Sequence, residues 1–193
     1  MILIIDNYDS FVYNIYQILK SIYEKEVVVI RNDKASPEHV SKLDPDAIII
    51  SPGPGNPEKI EDIGYSRAVV EEFKEEKPIL GICLGHQVIG LAIGAKVRKA
   101  RSIFHGKVSL VRHFGGPLYK EIPEVFKAMR YHSYVIYDPP EDLVVDAISL
   151  DDGEIMGIHH RSYPLIGVQY HPESVGTELG RKILKAFIEI ARR

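Results

Sequence analysis

Residues 78–93 have the sequence PILGICLGHQVIGLAI, and this stretch decides the fold. The first five residues form an apolar run typical of a buried strand, and residues 84–93 have the composition of a helix. Between them, Gly81-Ile82-Cys83-Leu84-Gly85 has the form Gly-x-Cys-x-Gly. This pattern predicts a nucleophile elbow, a tight turn that presents a side chain where a strand passes into a helix.

A lone cysteine is often only a small buried apolar residue. Here the flanking glycines permit a tight turn and the close approach of a substrate. The helix that follows begins beside the sulfur, and its N-terminal dipole favours the thiolate over the thiol. We therefore interpret Cys83 as a nucleophile.

The alternation of strand and helix extends along the chain. Short apolar runs predict three more strands, at residues 2–5, 27–30 and 47–50. Helical spacing marks residues 11–22, 64–76 and 179–191, with Asp9 or Ser10 placed to cap the first of these helices and Ser36-Pro37 to begin another. Five further segments have β-like patterns: 107–112, 125–130, 134–137, 143–150 and 154–158.

These elements predict an α/β fold. Strands that are apolar on both faces and separated by helices form a parallel sheet that is covered on both sides. We expect an open, mainly parallel sheet with helices on both faces, in a single domain that spans residues 1–193.

The composition narrows the class of protein. The chain has 193 residues, 45% of them hydrophobic, with a formal net charge of −3 and one cysteine. A mildly acidic chain without a Lys/Arg cluster argues against nucleic acid or an anionic membrane as its partner. A single cysteine forms no internal disulfide, and no apolar run approaches the ~20 residues of a membrane helix. We expect a cytoplasmic protein.

A proline- and glycine-rich loop follows the strand at residues 47–50. Its sequence, Ser51-Pro52-Gly53-Pro54-Gly55, fits neither helix nor strand, and the irregular stretch continues to about Asp62. The loop is either a stiff turn or part of a site that it shares with Cys83. In the second case, one backbone N–H of the loop and the N–H of Leu84 form an oxyanion hole. The loop lacks the Gly-Lys-Ser/Thr of a phosphate-binding loop.

A third segment supplies a candidate base. In His171-Pro172-Glu173, proline favours an extended conformation for the residue before it, and residues two apart in an extended chain point the same way. The carboxylate of Glu173 can then orient the ring of His171. Taken alone, the segment is equally a surface histidine beside an unrelated acid.

A metal site is not expected. The spacing Cys83-x-x-His86 resembles that of metal ligands, but no second pair accompanies it and a zinc site needs more ligands. We interpret His86 as a packing or hydrogen-bonding residue of the helix.

Three separated blocks together resemble the class I glutamine amidotransferases, whose fold is a flavodoxin-like α/β sheet. The blocks are Ser51-Pro52-Gly53-Pro54-Gly55, Gly81-Ile82-Cys83-Leu84-Gly85-His86-Gln87 and His171-Pro172-Glu173-Ser174. Within the family, the chain is most similar to the small glutaminase subunits of anthranilate synthase, in tryptophan biosynthesis, and of aminodeoxychorismate synthase, in the folate pathway. Asp6-Asn7-Tyr8-Asp9-Ser10-Phe11, His105-Gly106-Lys107 and Arg130-Tyr131-His132-Ser133 carry this closer similarity.

The resemblance implies a role for each residue of the site. Cys83 is the nucleophile, His171 the general acid and base, and Glu173 the residue that orients His171. Gly55 and Leu84 donate the N–H groups of the oxyanion hole. The glutamine-binding residues it implies are Gly53, Pro54, Gly55, Gln87, Ser133 and Tyr134. The family often has leucine at the last of these positions, and His105 and His132 are interpreted as structural.

The resemblance also implies partners. The substrate is L-glutamine, and the ammonia passes to a large chorismate-binding synthase subunit. No cofactor belongs to this chain, and any magnesium requirement belongs to the synthase. The function it favours is that of the anthranilate synthase glutaminase. Alternatives are the glutaminase of aminodeoxychorismate synthase, a free-standing γ-glutamyl hydrolase, and a regulatory protein without activity.

Overall fold

A computed structural model describes residues 1–192. The strands are β1 (Ile2–Asp6), β2 (Val27–Arg31), β3 (Ala47–Ile50), β4 (Ile79–Ile82), β5 (Lys96–Lys99), β6 (Lys107–His113), β7 (Val125–Arg130), β8 (Tyr134–Tyr137), β9 (Leu143–Ser149), β10 (Ile155–His160) and β11 (Leu165–Val168). The helices are α1 (Val12–Ile22), α2 (Pro37–Leu43), α3 (Ile60–Ile63), α4 (Ser66–Phe73), α5 (Leu84–Ile93) and α6 (Gly180–Ala191).

The main sheet has nine strands in the order β2-β1-β3-β4-β11-β10-β9-β6-β7. The first five are parallel, and the remaining strands extend the sheet by antiparallel pairing. The chain runs from β1 to β2 on one side and then returns to β3 on the other. This reversal is a topological switch point, where open α/β sheets place ligands beyond the carboxyl ends of their strands.

The side chains of the parallel strands divide between two cores. In β1, Ile2 and Ile4 contribute to the core beneath α1 and α6, whereas Leu3 and Ile5 contribute to the core beneath α2, α4 and α5. Strand β3 alternates in the same way. Because successive side chains of a strand point to opposite faces, a strand that is apolar at every position needs both layers of helices. The prediction of an α/β sheet covered on both faces is confirmed.

The strands β5 and β8 pair in antiparallel fashion as a separate two-stranded sheet that packs against α5. Strand β5 is not predicted by the sequence pattern, because Lys-Val-Arg-Lys has too few apolar residues to mark a strand. The contact between this small sheet and α5 requires a glycine at position 90, because an added Cβ there would lie 2.8 Å from a methyl carbon of Ile136.

The structure confirms one predicted helix cap and contradicts another. Ser36 caps α2 by accepting a hydrogen bond from the N–H of His39, as predicted. The prediction that Asp9 or Ser10 caps α1 is wrong: Phe11 holds that position without a side-chain cap. The carboxylate of Asp9 is instead largely buried, close to the charges of Glu173 and His171. The loop after β3 is also shorter than predicted, because α3 begins at Ile60.

Within residues 1–192, no helix combines the length and the apolar character that crossing a membrane requires.

Gly85 provides a test of how β4 and α5 are joined. A Cβ at Gly85 would lie 2.2 Å from the carbonyl oxygen of Ile50, whereas a Cβ at Gly94 meets nothing within 4 Å. We expect Gly85→Ala to lower the free energy of unfolding by about 3 kcal/mol or more, because backbone atoms must move apart. Gly94→Ala should lower it by only about 1–2 kcal/mol, because the sole penalty is that alanine must adopt a positive φ. Urea unfolding of both variants measures the difference, and equal costs would contradict this packing role of Gly85.

Candidate active site

Cys83 lies at a strained turn between β4 and α5. Its φ is +52°, in a region that residues with a Cβ rarely occupy. The turn is possible because Gly81 and Gly85 touch: a Cβ at Gly81 would lie 2.3 Å from the carbonyl oxygen of Gly85. Cys83 is also tied to the neighbouring strand by its N–H, which donates to the carbonyl of Val168 at 2.8 Å. The thiol is therefore held at the carboxyl edge of the sheet, at the start of a helix.

His171 and Glu173 form a buried pair beside this thiol. His171 Nδ1 lies 2.6 Å from Glu173 Oε1, and His171 Nε2 has no hydrogen-bond partner among residues 1–192. The backbone N–H of His171 donates to Met129, and its carbonyl accepts from the hydroxyl of Thr177. One ring nitrogen is thus oriented by the acid and the other is left free.

The charge of His171 is set by its neighbours. Burial disfavours the imidazolium, but the charge of Cys83 and the hydrogen-bonded Glu173 carboxylate outweigh that effect and hold the pKa of His171 well above its usual value. A protonated His171 between a thiolate and a carboxylate can give a proton to a leaving group and later take one from water.

The proline-glycine loop is fixed by buried polar side chains at the ends of β1 and β3. The backbone N–H of Asn7 donates to the hydroxyl of Ser51 at 2.8 Å, and the Asn7 side-chain amide donates to the Ser51 carbonyl at 2.9 Å. Asn32 and Ser66 both donate to Asn7 Oδ1. Gly53 is wedged against this cluster, since a Cβ there would lie 2.6 Å from the Asn7 carbonyl oxygen and 2.8 Å from Leu84 Cδ2.

A cleft of about 310 Å³ opens in front of Cys83. This volume lies within the usual range for small-molecule sites. Its walls bring together residues from four separate parts of the chain: Gly53, Pro54, Gly55, Cys83, Leu84, Gln87, His105, Tyr131, His132, Ser133 and Tyr134. All six residues that the resemblance implies for glutamine binding are among them.

The cleft also includes three residues for which no direct role is predicted: His105, Tyr131 and His132. Tyr131 meets the ring of His171 edge-on, with 4.9 Å between the ring centroids. Burial and the charge of Arg130 lower the pKa of His132 to about 3, so its ring stays neutral. His132 Nδ1 lies 3.1 Å from the carbonyl oxygen of Tyr134, which shapes the wall of the cleft.

His86 packs in the interior, as expected. Its side chain is fully buried and lies against Gly167, where a Cβ would be 2.7 Å from Nδ1. Burial lowers the pKa of His86 to about 3, so the ring is neutral. Among residues 1–192, no group of three or more His, Cys, Asp or Glu side chains is placed to hold a metal ion.

Comparison with known proteins shows to which family the chain belongs. The model of the family "Glutamine amidotransferase class-I" matches residues 3–191. The chain belongs to the class I glutamine amidotransferases. It is therefore an enzyme of the amidotransferase type.

Two curated relatives and one solved structure show how close the similarity is. Anthranilate synthase component 2 of Saccharolobus solfataricus is 57% identical, over 96% of each chain. Aminodeoxychorismate synthase component 2 of Serratia marcescens is 45% identical, over 97% of this chain and 99% of that protein. The crystal structure of a candidate GMP synthase component from Thermoplasma acidophilum superposes with a TM-score of 0.88 at 26% identity, covering 99% of this chain and 93% of the other.

Asp9 makes folding depend on pH. Burial, with a contribution from the charge of Glu173, raises the pKa of Asp9 from 3.8 to about 6. An acid whose pKa is higher in the folded state loses stability as the pH rises from the unfolded to the folded value. The free energy of unfolding of the native chain should therefore fall as the pH rises from about 4 to about 6.

Asp9→Asn removes that titration. At pH 7.5 the amidotransferase with Asn at this position should be more stable than the native chain by roughly 1–2 kcal/mol, after discounting for the partial exposure of the carboxylate. The gain should vanish below about pH 4, where the native carboxyl is protonated in both states. Urea unfolding at several pH values measures this, and a difference that does not vary with pH would contradict it.

Arg130 anchors the wall of the cleft. It is fully buried and donates two hydrogen bonds to Asp152, at 2.8 and 3.3 Å, and one to each of Ser109, Ser149 and His132. Its guanidinium also stacks 3.5 Å above the ring of Phe104.

Arg130→Met should lower the free energy of unfolding by about 3–5 kcal/mol, because Asp152 is left as an unpaired buried charge. The matched control is Arg67→Met, which breaks an exposed pair with Glu71 and should cost less than about 1 kcal/mol. Chemical denaturation of the two variants compares them, and similar costs would rule out the anchoring role.

Proposed function

We propose that the chain is the glutaminase subunit of an anthranilate synthase, which hydrolyses L-glutamine to glutamate and ammonia and supplies the ammonia to a chorismate-using synthase subunit. The observation that carries the proposal is that Cys83, at its strained turn, faces the buried His171–Glu173 pair and opens on a cleft of amino-acid size. We further propose that residues 1–193 act as one amidotransferase domain.

In the first half of the reaction, the Cys83 thiolate attacks the side-chain amide carbon of glutamine and a C–S bond forms. The carbonyl oxygen becomes an oxyanion, which the N–H groups of Gly55 and Leu84 stabilise from the loop and from the first turn of α5. Losing one such donor typically costs ~3 kcal/mol or more. As the C–N bond breaks, His171 gives its proton to the nitrogen, and ammonia leaves with glutamyl thioester on the enzyme.

In the second half, water hydrolyses the thioester. His171 is now neutral and takes a proton from the attacking water, while Glu173 keeps the ring oriented and stabilises the imidazolium that forms. The C–S bond breaks, glutamate is released, and the thiolate–imidazolium pair is restored. The carboxyl group formed in this step gives its proton to the solvent, so the net reaction converts glutamine and water into glutamate and ammonium.

Glutamine is held along the walls of the cleft. We assign its binding to the backbone of Gly53-Pro54-Gly55 on one side and to Gln87, Ser133 and Tyr134 on the other. Tyr134 is half-buried, and its carbonyl oxygen accepts hydrogen bonds from Gln87 and His132, which fix its backbone. A role that depends on the backbone fits a position where the family often has leucine.

The partner is proposed from the names of the relatives and from the chemistry of ammonia. Proteins named as component 2 of a synthase imply another component, and the 57% identity to an anthranilate synthase component exceeds the 45% identity to an aminodeoxychorismate synthase component. Ammonia released into water is protonated and lost, so a closed path to the second active site preserves the nucleophile. We place both proteins in the cytoplasm.

Reconstitution with the synthase subunit from the same organism tests the proposal. Cys83→Ser should lower glutamine-dependent anthranilate formation by about 10³-fold or more, because the nucleophile is lost. The same complex should keep its full rate with ammonium salts at high pH, which is the internal control for folding and assembly. Retained glutamine-dependent activity in Cys83→Ser would refute the assignment.

The products distinguish the alternatives. Anthranilate from chorismate and glutamine supports the proposed pathway, and aminodeoxychorismate identifies the folate enzyme instead. If the isolated chain releases glutamate at full rate from γ-glutamyl peptides and gains nothing from a synthase, the γ-glutamyl hydrolase function replaces both.

A further inference from the structure

Gln169 lies directly behind the sulfur of Cys83. It follows β11, its side chain is fully buried, and its Nε2 lies 3.6 Å from Cys83 Sγ, within the range of an N–H···S hydrogen bond. Its backbone N–H donates to the carbonyl of Met156 at 3.0 Å, which fixes the position of the residue. The proposed mechanism leaves this amide without a role.

The orientation of the Gln169 amide is set by its neighbours. The carbonyl oxygen of Tyr134 can only accept, so the group of Gln87 that lies 2.8 Å from it is the NH₂. That NH₂ also lies 3.1 Å from Gln169 and donates its second hydrogen there, so Oε1 of Gln169 must face it. The NH₂ of Gln169 therefore faces the sulfur.

The chain of hydrogen bonds continues beyond Tyr134. His132 Nδ1 lies 3.1 Å from the same carbonyl oxygen, and His132 Nε2 accepts from Arg130 at 3.0 Å. Arginine only donates, so the ring of His132 must carry its hydrogen on Nδ1. His132 and Gln87 both donate to the Tyr134 carbonyl oxygen, and it is the donation from Gln87 that leaves Gln169 only one orientation.

We propose that Gln169 is a positioning residue for the nucleophile: its amide donates a hydrogen bond to the Cys83 thiolate and holds the sulfur opposite His171. The proposal rests on the proposed function and extends it. Cys83 is only 6% exposed, so a fixed donor replaces the water that would otherwise solvate the thiolate. The Gln169 side chain is fully buried and its NH₂ faces the sulfur, so its role is to position Cys83.

Two variants separate this role from packing. Gln169→Met keeps the length of the side chain and removes both hydrogen bonds. Gln169→Glu keeps the shape and the acceptor for Gln87, but turns a carboxylate oxygen toward the sulfur. Gln17→Met, on the exposed side of α1, is the matched control.

The readout is the rate of alkylation by iodoacetamide as a function of pH. Because the chain has one cysteine, alkylation reports Cys83 alone, and neither glutamine nor a partner is needed. The midpoint of the profile should rise by about one pH unit in Gln169→Met, a tenfold loss of thiolate at low pH, and further in Gln169→Glu. Gln17→Met should leave it unchanged.

Gln169→Met leaves the charged and titratable groups around the site unchanged, namely His171, Glu173, Asp9 and His105, whereas Gln169→Glu adds one carboxyl beside the sulfur. In the reconstituted complex, kcat at pH 6 should fall about tenfold in Gln169→Met, with the KM for glutamine unchanged within about twofold.

Unchanged midpoints in both Gln169 variants would overturn the proposal. So would a shift in Gln169→Met that is absent in Gln169→Glu, because that result indicates packing. If Gln169→Met fails to fold, the alkylation profile of Gln169→Glu tests the proposal alone: a raised midpoint supports it and an unchanged midpoint overturns it. A shifted profile in a chain that lacks glutaminase activity would reject the proposed function and leave the hydrogen bond to the sulfur in place.

Discussion

The backbone of Cys83 is held at a φ of +52°, and the surrounding structure is arranged around this turn. A residue with a Cβ adopts such a conformation only where its neighbours enforce it. Here Gly81 and Gly85 remove the side chains that would separate β4 from α5, and the carbonyl of Ile50 lies against the helix in the space gained. The parallel strands on either side, β3 and β11, then bring the loop of Gly53–Gly55 and the His171 segment to the same edge.

The polar groups at this edge form two systems that meet at the sulfur. His171 and Glu173 carry charge, and their pairing with Cys83 keeps the histidine protonated. Hydrogen bonds connect Asp152 to the thiol through Arg130, His132, the carbonyl oxygen of Tyr134, Gln87 and Gln169. In the mechanism that we propose, the first system moves protons and the second fixes the position of the thiol. Both are buried, so water contributes little and each orientation is determined by protein groups.

Much of this could be predicted from the sequence, because the decisive patterns are local. The apolar runs of β1, β3 and β4 determine a sheet covered on both sides, and Gly-x-Cys-x-Gly indicates the turn. The alternation that pairs His171 with Glu173 also applies two residues earlier, so the same reasoning would have found Gln169. In the antiparallel half, β-like patterns predict the strands β6, β7, β9 and β10 but not their order in the sheet. That order, β5 and the placement of Asp9 depend on long-range contacts that no local periodicity reveals.

Mass spectrometry of the complex during turnover tests the central claim most directly. Acid quenching in the presence of glutamine should trap a γ-glutamyl thioester, and peptide mapping should place it on the peptide that contains Cys83. We predict that adduct in the native chain and its loss in Cys83→Ala, together with the loss of glutamine-dependent activity. An adduct on another residue, or turnover of glutamine by Cys83→Ala, would contradict the role of Cys83 as the nucleophile.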